Sequence, residues 1–141
     1  DGLKNLRGQQ NLTWLDVTGC SISDNSIALF RSLSGLREVM LDGTKITDAS
    51  VEVLSELANL ELLDLANTKV TDQAVKSLAG KSTLTVLYLT GTAVTDQAAA
   101  DLETIINLTL LELTGTNMSA EVVDKVKSSL AKLQPLIFLT E

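Results

Sequence analysis

LDLANTKVTDQAV, residues 63–75, returns twenty-four residues later as LYLTGTAVTDQAA, residues 87–99. Leu63, Leu65, Thr68, Val70, Thr71 and Asp72 are echoed, while Asp64 becomes Tyr88 and Ala66 becomes Thr90. Extending the comparison in both directions covers the chain. Leu12, Leu36, Leu60, Leu84 and Leu108 form one column. Leu15, Val39, Leu63, Leu87 and Leu111 form a second, and Val17, Leu41, Leu65, Leu89 and Leu113 a third. Cys20, Thr44, Thr68, Thr92 and Thr116 follow, then Ile22, Ile46, Val70, Val94 and Met118. Asp24, Asp48, Asp72 and Asp96 close the motif, with Ala120 in the fifth place. A fixed period of this length means one supersecondary unit stacked repeatedly, so that neighbours bury what one unit cannot.

The unit has a physical reading. L-x-L alternates apolar and variable residues, as a strand with one buried face does. Leu63 and Leu65 therefore point inward, and Leu62, Asp64 and Ala66 outward. Gly19, Gly43, Gly91 and Gly115 mark a turn with positive φ, and Asn67, the next most tolerant residue, holds that place in the third unit. The Thr column suggests a short hydroxyl ladder between units. Cys20 reads as a small buried residue in the same slot. Asp48, Asp72 and Asp96 read as helix N-caps. Val51, Leu54 and Leu57, like Ile27, Phe30 and Leu33, step along one helix face.

Five registered copies of L-x-x-L-x-L-x-G-T-x-I-T-D resemble the leucine-rich repeat family, whose hallmark is L-x-x-L-x-L-x-x-N/C-x-L. The Thr in the Asn position, followed by T-D, is most similar to repeats of bacterial proteins. The resemblance implies an α/β fold: a right-handed solenoid arc with a parallel sheet on the concave face and short helices on the convex face. One domain over 1–141 is expected. It comprises a partial repeat at 1–11, full repeats at 12–35, 36–59, 60–83 and 84–107, and a longer terminal repeat and cap at 108–141.

Both ends depart from the period. Leu3 and Leu6 match Ile27 and Phe30, so the chain opens at the helix of a repeat whose strand is missing, as in an excised or processed piece. At the other end the segment from Met118 to Pro135 lengthens the last helix, and Leu136 follows Leu108 by twenty-eight residues. LIFLTE then supplies a last strand, with Phe138 set beside Leu110.

Composition narrows the function. A net charge of −7 is unsuited to nucleic acid, which requires a basic face. With no His there is no Ser-His-Asp triad, and a single Cys gives no disulfide framework. No apolar run reaches the ~18 residues of a membrane span. No cofactor motif is present, because each glycine belongs to a turn.

Function is then sought in the outward columns, where stacking sets equivalents about 4.8 Å apart. The first reads Trp14, Glu38, Leu62, Val86, Leu110 and Phe138. The second reads Asp16, Met40, Asp64, Tyr88 and Glu112, and the third Thr18, Asp42, Ala66, Thr90 and Thr114. An apolar strip flanked by acids is the pattern of an interaction surface. The expected function is a non-catalytic module taking a protein or peptide, basic or amphipathic, on this face. The alternative is a structural spacer within a longer array. Glu38, Asp42 and Asp64 could in principle act as a hydrolytic carboxylate pair or hold Ca²⁺, but a smooth sheet without inserted loops offers no desolvated pocket for an acid. Thr13–Thr18, at the edge of the sheet, can pair with another chain.

Overall fold

The structure, a computed structural model, describes residues 2–133 and 135–139. Six three-residue strands form one sheet: β1 (Trp14–Asp16), β2 (Glu38–Met40), β3 (Leu62–Asp64), β4 (Val86–Tyr88), β5 (Leu110–Glu112) and β6 (Ile137–Leu139). Their order in space is their order in sequence, and every pair is parallel. Between strands lie α1 (Asp24–Ile27), α2 (Asp48–Ser55), α3 (Asp72–Leu78), α4 (Ala99–Leu102) and α5 (Ala120–Ala131). A 3-10 turn at Ala28–Ser32 extends α1, one at Asp96–Ala98 leads into α4, and another at Gly2–Leu6 precedes β1. This is the leucine-rich-repeat solenoid that the period predicts.

The inward columns make the core. Leu36, Val39, Leu41, Ile46, Val51 and Leu54 are fully buried, as are their equivalents Leu60, Leu63, Leu65, Val70, Val75 and Leu78. The helical stripe of Ile27, Phe30 and Leu33 is also fully buried. Each turn uses positive φ at the expected place, from 65° to 67° at Gly19, Gly43, Gly91 and Gly115 and 52° at Asn67. A glycine turn without a Cβ penalty thus returns each strand toward its helix.

Three local expectations need correction. The N-cap is the Thr, not the Asp: Thr47, Thr71 and Thr95 are extended, and Asp48, Asp72 and Asp96 are the first helical residues. The carboxylates are turned instead toward the next coil. Asp24 accepts from the N–H and hydroxyl of Thr47, Asp48 from Thr71, Asp72 from Thr95, and Asp96 from Ser119, all at 2.7–2.9 Å. The Thr column makes no ladder. Thr44, Thr68, Thr92 and Thr116 each donate to the carbonyl three residues back in the same coil, closing the turn locally. Cys20, in the first copy of that slot, is exposed, since among the described residues no strand-and-turn segment packs on its outer side.

Other polar substitutions in the periodic pattern are compensated. Lys81 replaces the Leu33/Leu57 type of core residue, and its ammonium donates to the Ser55 and Leu57 carbonyls near the end of α2. Arg31–Glu56 and Arg37–Glu61 join neighbouring coils but are half exposed, so they add little stability. Asn59 and Asn107 reach back to the Ser34 and Ser82 carbonyls. Thr83 stands in their column with too short an arm, and its buried hydroxyl oxygen has no partner.

Candidate functional site

The outward face of the sheet is assembled by strand register alone. In the first column Trp14, Glu38, Leu62, Val86 and Leu110 follow one another on adjacent strands, and the sixth member is Ile137. The second column holds Asp16, Met40, Asp64, Tyr88, Glu112 and Leu139. Phe138 is the correction. It pairs with Leu111 in the inward column, packs against the core, and has the Lys127 ammonium 5.8 Å from its ring centre. Ile137 lies twenty-seven residues after Leu110, so the terminal insertion shifts the strand by one residue from the expected phase. A one-residue slip exchanges the two faces of a strand.

That exchange extends the apolar strip. Ile137 is 61% exposed and Leu139 44% exposed, with Trp14 at 50% on the opposite edge. Between them Leu62, Val86 and Leu110 are half-buried by their column neighbours. Ile137 and Leu139 were missed because LIFL is apolar throughout, and a continuous apolar run carries no period-2 phase.

The acids divide by their bonds. The Asp16 carboxylate accepts the Thr18 N–H at 2.9 Å, and Asp64 accepts the Ala66 N–H at 2.9 Å, each fixing the chain where its strand ends. Asp42 accepts from the Asn67 amide at 2.8 Å. The Glu38 and Glu112 carboxylates make no hydrogen bond or ion pair among the described residues. The Thr18 backbone bond, aided by its hydroxyl, holds Asp16 below the ordinary carboxylate range. Burial pushes Asp64 above it, opposed by the Ala66 bond and reinforced by Asp42, Glu112 and Asp16. The face is thus an apolar band beside a negative one. Among the described residues no three His, Cys, Asp or Glu side chains are grouped to hold a metal ion. No helix among them is long and apolar enough to cross a membrane.

Comparison with known proteins agrees with this architecture. A leucine rich repeat family model matches residues 10–70. An internalin (inlF) from Listeria monocytogenes superposes with a TM-score of 0.75 at 20% identity, covering 94% of this chain and 36% of that one. Internalin C2 from the same organism gives 0.74 at 28% identity, covering 96% of this chain and 54% of that one. The structure named Leiomodin-1 Actin-Binding Site 2 gives 0.70 at 16% identity, covering 92% of this chain and 84% of that one. The chain therefore spans about a third to a half of the two internalins. No curated protein matches its sequence. Residues 10–70 match as leucine-rich repeats, and the described residues as a whole share the leucine-rich-repeat fold, which serves in general as a protein-interaction module.

Proposed function

We propose that this leucine-rich-repeat solenoid is a non-catalytic module that takes a protein or peptide partner on its concave face. The observation that carries the reading is the first outward column. From Leu62 through Val86 and Leu110 to Ile137 it is apolar on four adjacent strands, half-buried at the first three and exposed at Ile137. Met40 and Tyr88 flank it, and aromatic and Met side chains suit interface cores. Asp16, Glu38, Asp42, Asp64 and Glu112 border the band, so a partner with an apolar ridge and basic flanks fits best. The charges would set encounter rate and discrimination more than affinity. The lack of any His in the sequence supports a non-catalytic role. The repeat type and the internalin likeness favour a bacterial source.

The test compares wild type with a Leu62→Ser/Tyr88→Ala/Leu110→Ser variant of unchanged far-UV circular dichroism, using immobilised protein and lysate of the native source. A partner held by wild type and lost by the variant supports the concave face. The same partner held equally by both moves the interface to the helices or ends. Recovery of nothing by either favours the spacer.

A further inference from the structure

The second outward column alternates along the sheet. Asp16, Asp64 and Glu112 stand on β1, β3 and β5, while Met40, Tyr88 and Leu139 stand on β2, β4 and β6. None of the six is buried. Strand stacking sets neighbours about 4.8 Å apart, so the acids recur every ~9.6 Å with an apolar or aromatic side chain midway. Beside this column the first one is apolar from Leu62 to Ile137. No Lys or Arg stands in the three outward columns, so the face presents one sign of charge.

That spacing discriminates among the backbone conformations a partner could bring. An extended strand repeats its facing side chains at about 6.7 Å, out of step with the acids. A polyproline II segment repeats at about 9.3 Å, close to the acid spacing, but places no side chain midway on that face. An α-helix sets i and i+7 about 10.5 Å apart, with i+3 and i+4 between them on the same face. Only the helix answers both the acids and the side chains that separate them. From β1 to β5 the acids span about 19 Å, and i to i+14 of a helix spans about 21 Å. A long, flexible Lys or Arg stem absorbs that difference.

Resting on the concave-face reading above, we propose that the partner's contact segment is a basic amphipathic α-helix that crosses the strands. Its Lys or Arg residues at i, i+7 and i+14 meet Asp16, Asp64 and Glu112. Its apolar residues at i+3, i+4, i+10 and i+11 lie over Met40, Tyr88 and the strip from Leu62 to Ile137. Charge complementarity fixes the register of the helix, and the apolar band supplies the buried area.

The probes are two synthetic fifteen-residue helices of one composition, each held helical by a side-chain lactam. The first carries lysine at its first, eighth and fifteenth positions and leucine at its fourth, fifth, eleventh and twelfth. The second has the same residues with its three lysines moved to different faces. Titrated into the full chain, the first should saturably shift the Met40, Asp64 and Tyr88 amide resonances, and bind at least tenfold tighter than the second. Asp64→Asn should weaken it about tenfold, since the amide oxygen can still accept the Ala66 N–H while the charge is lost. Glu112→Gln should weaken it about threefold, the scale of a more exposed ion pair. Glu38→Gln, which removes the same charge from the first column, should have a smaller effect than Glu112→Gln. Tighter binding by a proline-rich peptide with lysine at every third residue overturns the helix in favour of a polyproline segment. Equal affinity for the two helices, or binding by neither, overturns the helix and leaves the concave-face reading to its own capture test. Saturable shifts confined to the convex helices overturn both.

Discussion

Asp48 and Thr71 meet across two successive coils, the carboxylate taking the threonine N–H on one oxygen and its hydroxyl on the other, both at 2.8 Å. The pair sits where a convex helix begins, so one contact fixes the helix start of one coil to that of the next. Repetition at Asp24, Asp72 and Asp96 makes it a seam along the solenoid.

Breaking the seam at its middle should therefore cost more than an ordinary surface change. Asp48→Ala strands two part-buried donors and should lower unfolding free energy by about 2–3 kcal/mol, given 1.5–3 for bonds to charged groups. Asp124, exposed on α5, is the control. Asp124→Ala should stay within about 0.5 kcal/mol. Urea unfolding at pH 7 measures both, and equal values would show that the seam is not stabilising.

Why was the aspartate column legible and its partner not? T-D before an apolar stripe has a local interpretation, and an N-cap is the commonest one. The bond that it makes is to a residue twenty-three positions away. Only the rotation of the coil reveals that, because both candidates occupy the same few ångströms at a helix start. The strands, the turns and the outward columns were readable since each depends on spacing within one unit. Cys20 and Phe138 failed for the opposite reason: each lies at an end, where the average environment of its column does not apply.

Acid should separate two aspartates. Burial alone would raise the pKa of Asp24, but bonds from Ser50 and Thr47 outweigh it and hold the carboxyl below its ordinary value. Its stabilisation is present above the unfolded value and is lost as pH falls through the lowered one. Asp64 runs the other way, being raised first by burial. Its contribution is full below the ordinary aspartate value and is lost as pH rises through the raised one. Asp64→Asn should thus be at least as stable as wild type at pH 7 and should lack the gain on acidification between those two values. Unfolding midpoints measured across that window check the sign. A variant less stable at pH 7 with an unchanged slope would contradict it.

The terminal register gives a sharper test of the sheet. With Phe138 facing inward, Phe138→Ala should cost about 2–3 kcal/mol, less than a fully buried Phe because it caps the end of the core. Ile137→Ser should change stability by less than about 0.5 kcal/mol. Phe138 on the outer face would reverse the order of the two.

Thr83 offers a gain. Its hydroxyl oxygen is buried without a partner in a column where Asn59 and Asn107 donate to the preceding coil. Thr83→Asn should add about 0.5–1.5 kcal/mol, the net worth of one recovered hydrogen bond. No gain in thermal or urea midpoint would mean that Lys81, bonded nearby to Leu57, already fills that space.

Asn67 and Gly91 should prove coupled. Gly91 has φ 65°, and a Cβ there would stand 2.6 Å from the Asn67 Oδ1. The asparagine cannot swing aside freely, because its amide nitrogen donates to Asp42 at 2.8 Å. Gly91→Ala should therefore cost about 1–3 kcal/mol, combining left-handed backbone strain with a collision. Asn67→Gly alone should be close to neutral, since glycine eases its own φ of 52° while the bond to Asp42 is lost. In the double variant the collision is gone and only the strain remains. The cost of Gly91→Ala should then fall by about 0.5–1 kcal/mol, a coupling typical of residues in contact. A double-mutant cycle by urea unfolding measures that difference directly. Strict additivity would mean that the Asn67 side chain gives way without loss, and that backbone strain alone keeps glycine at this turn.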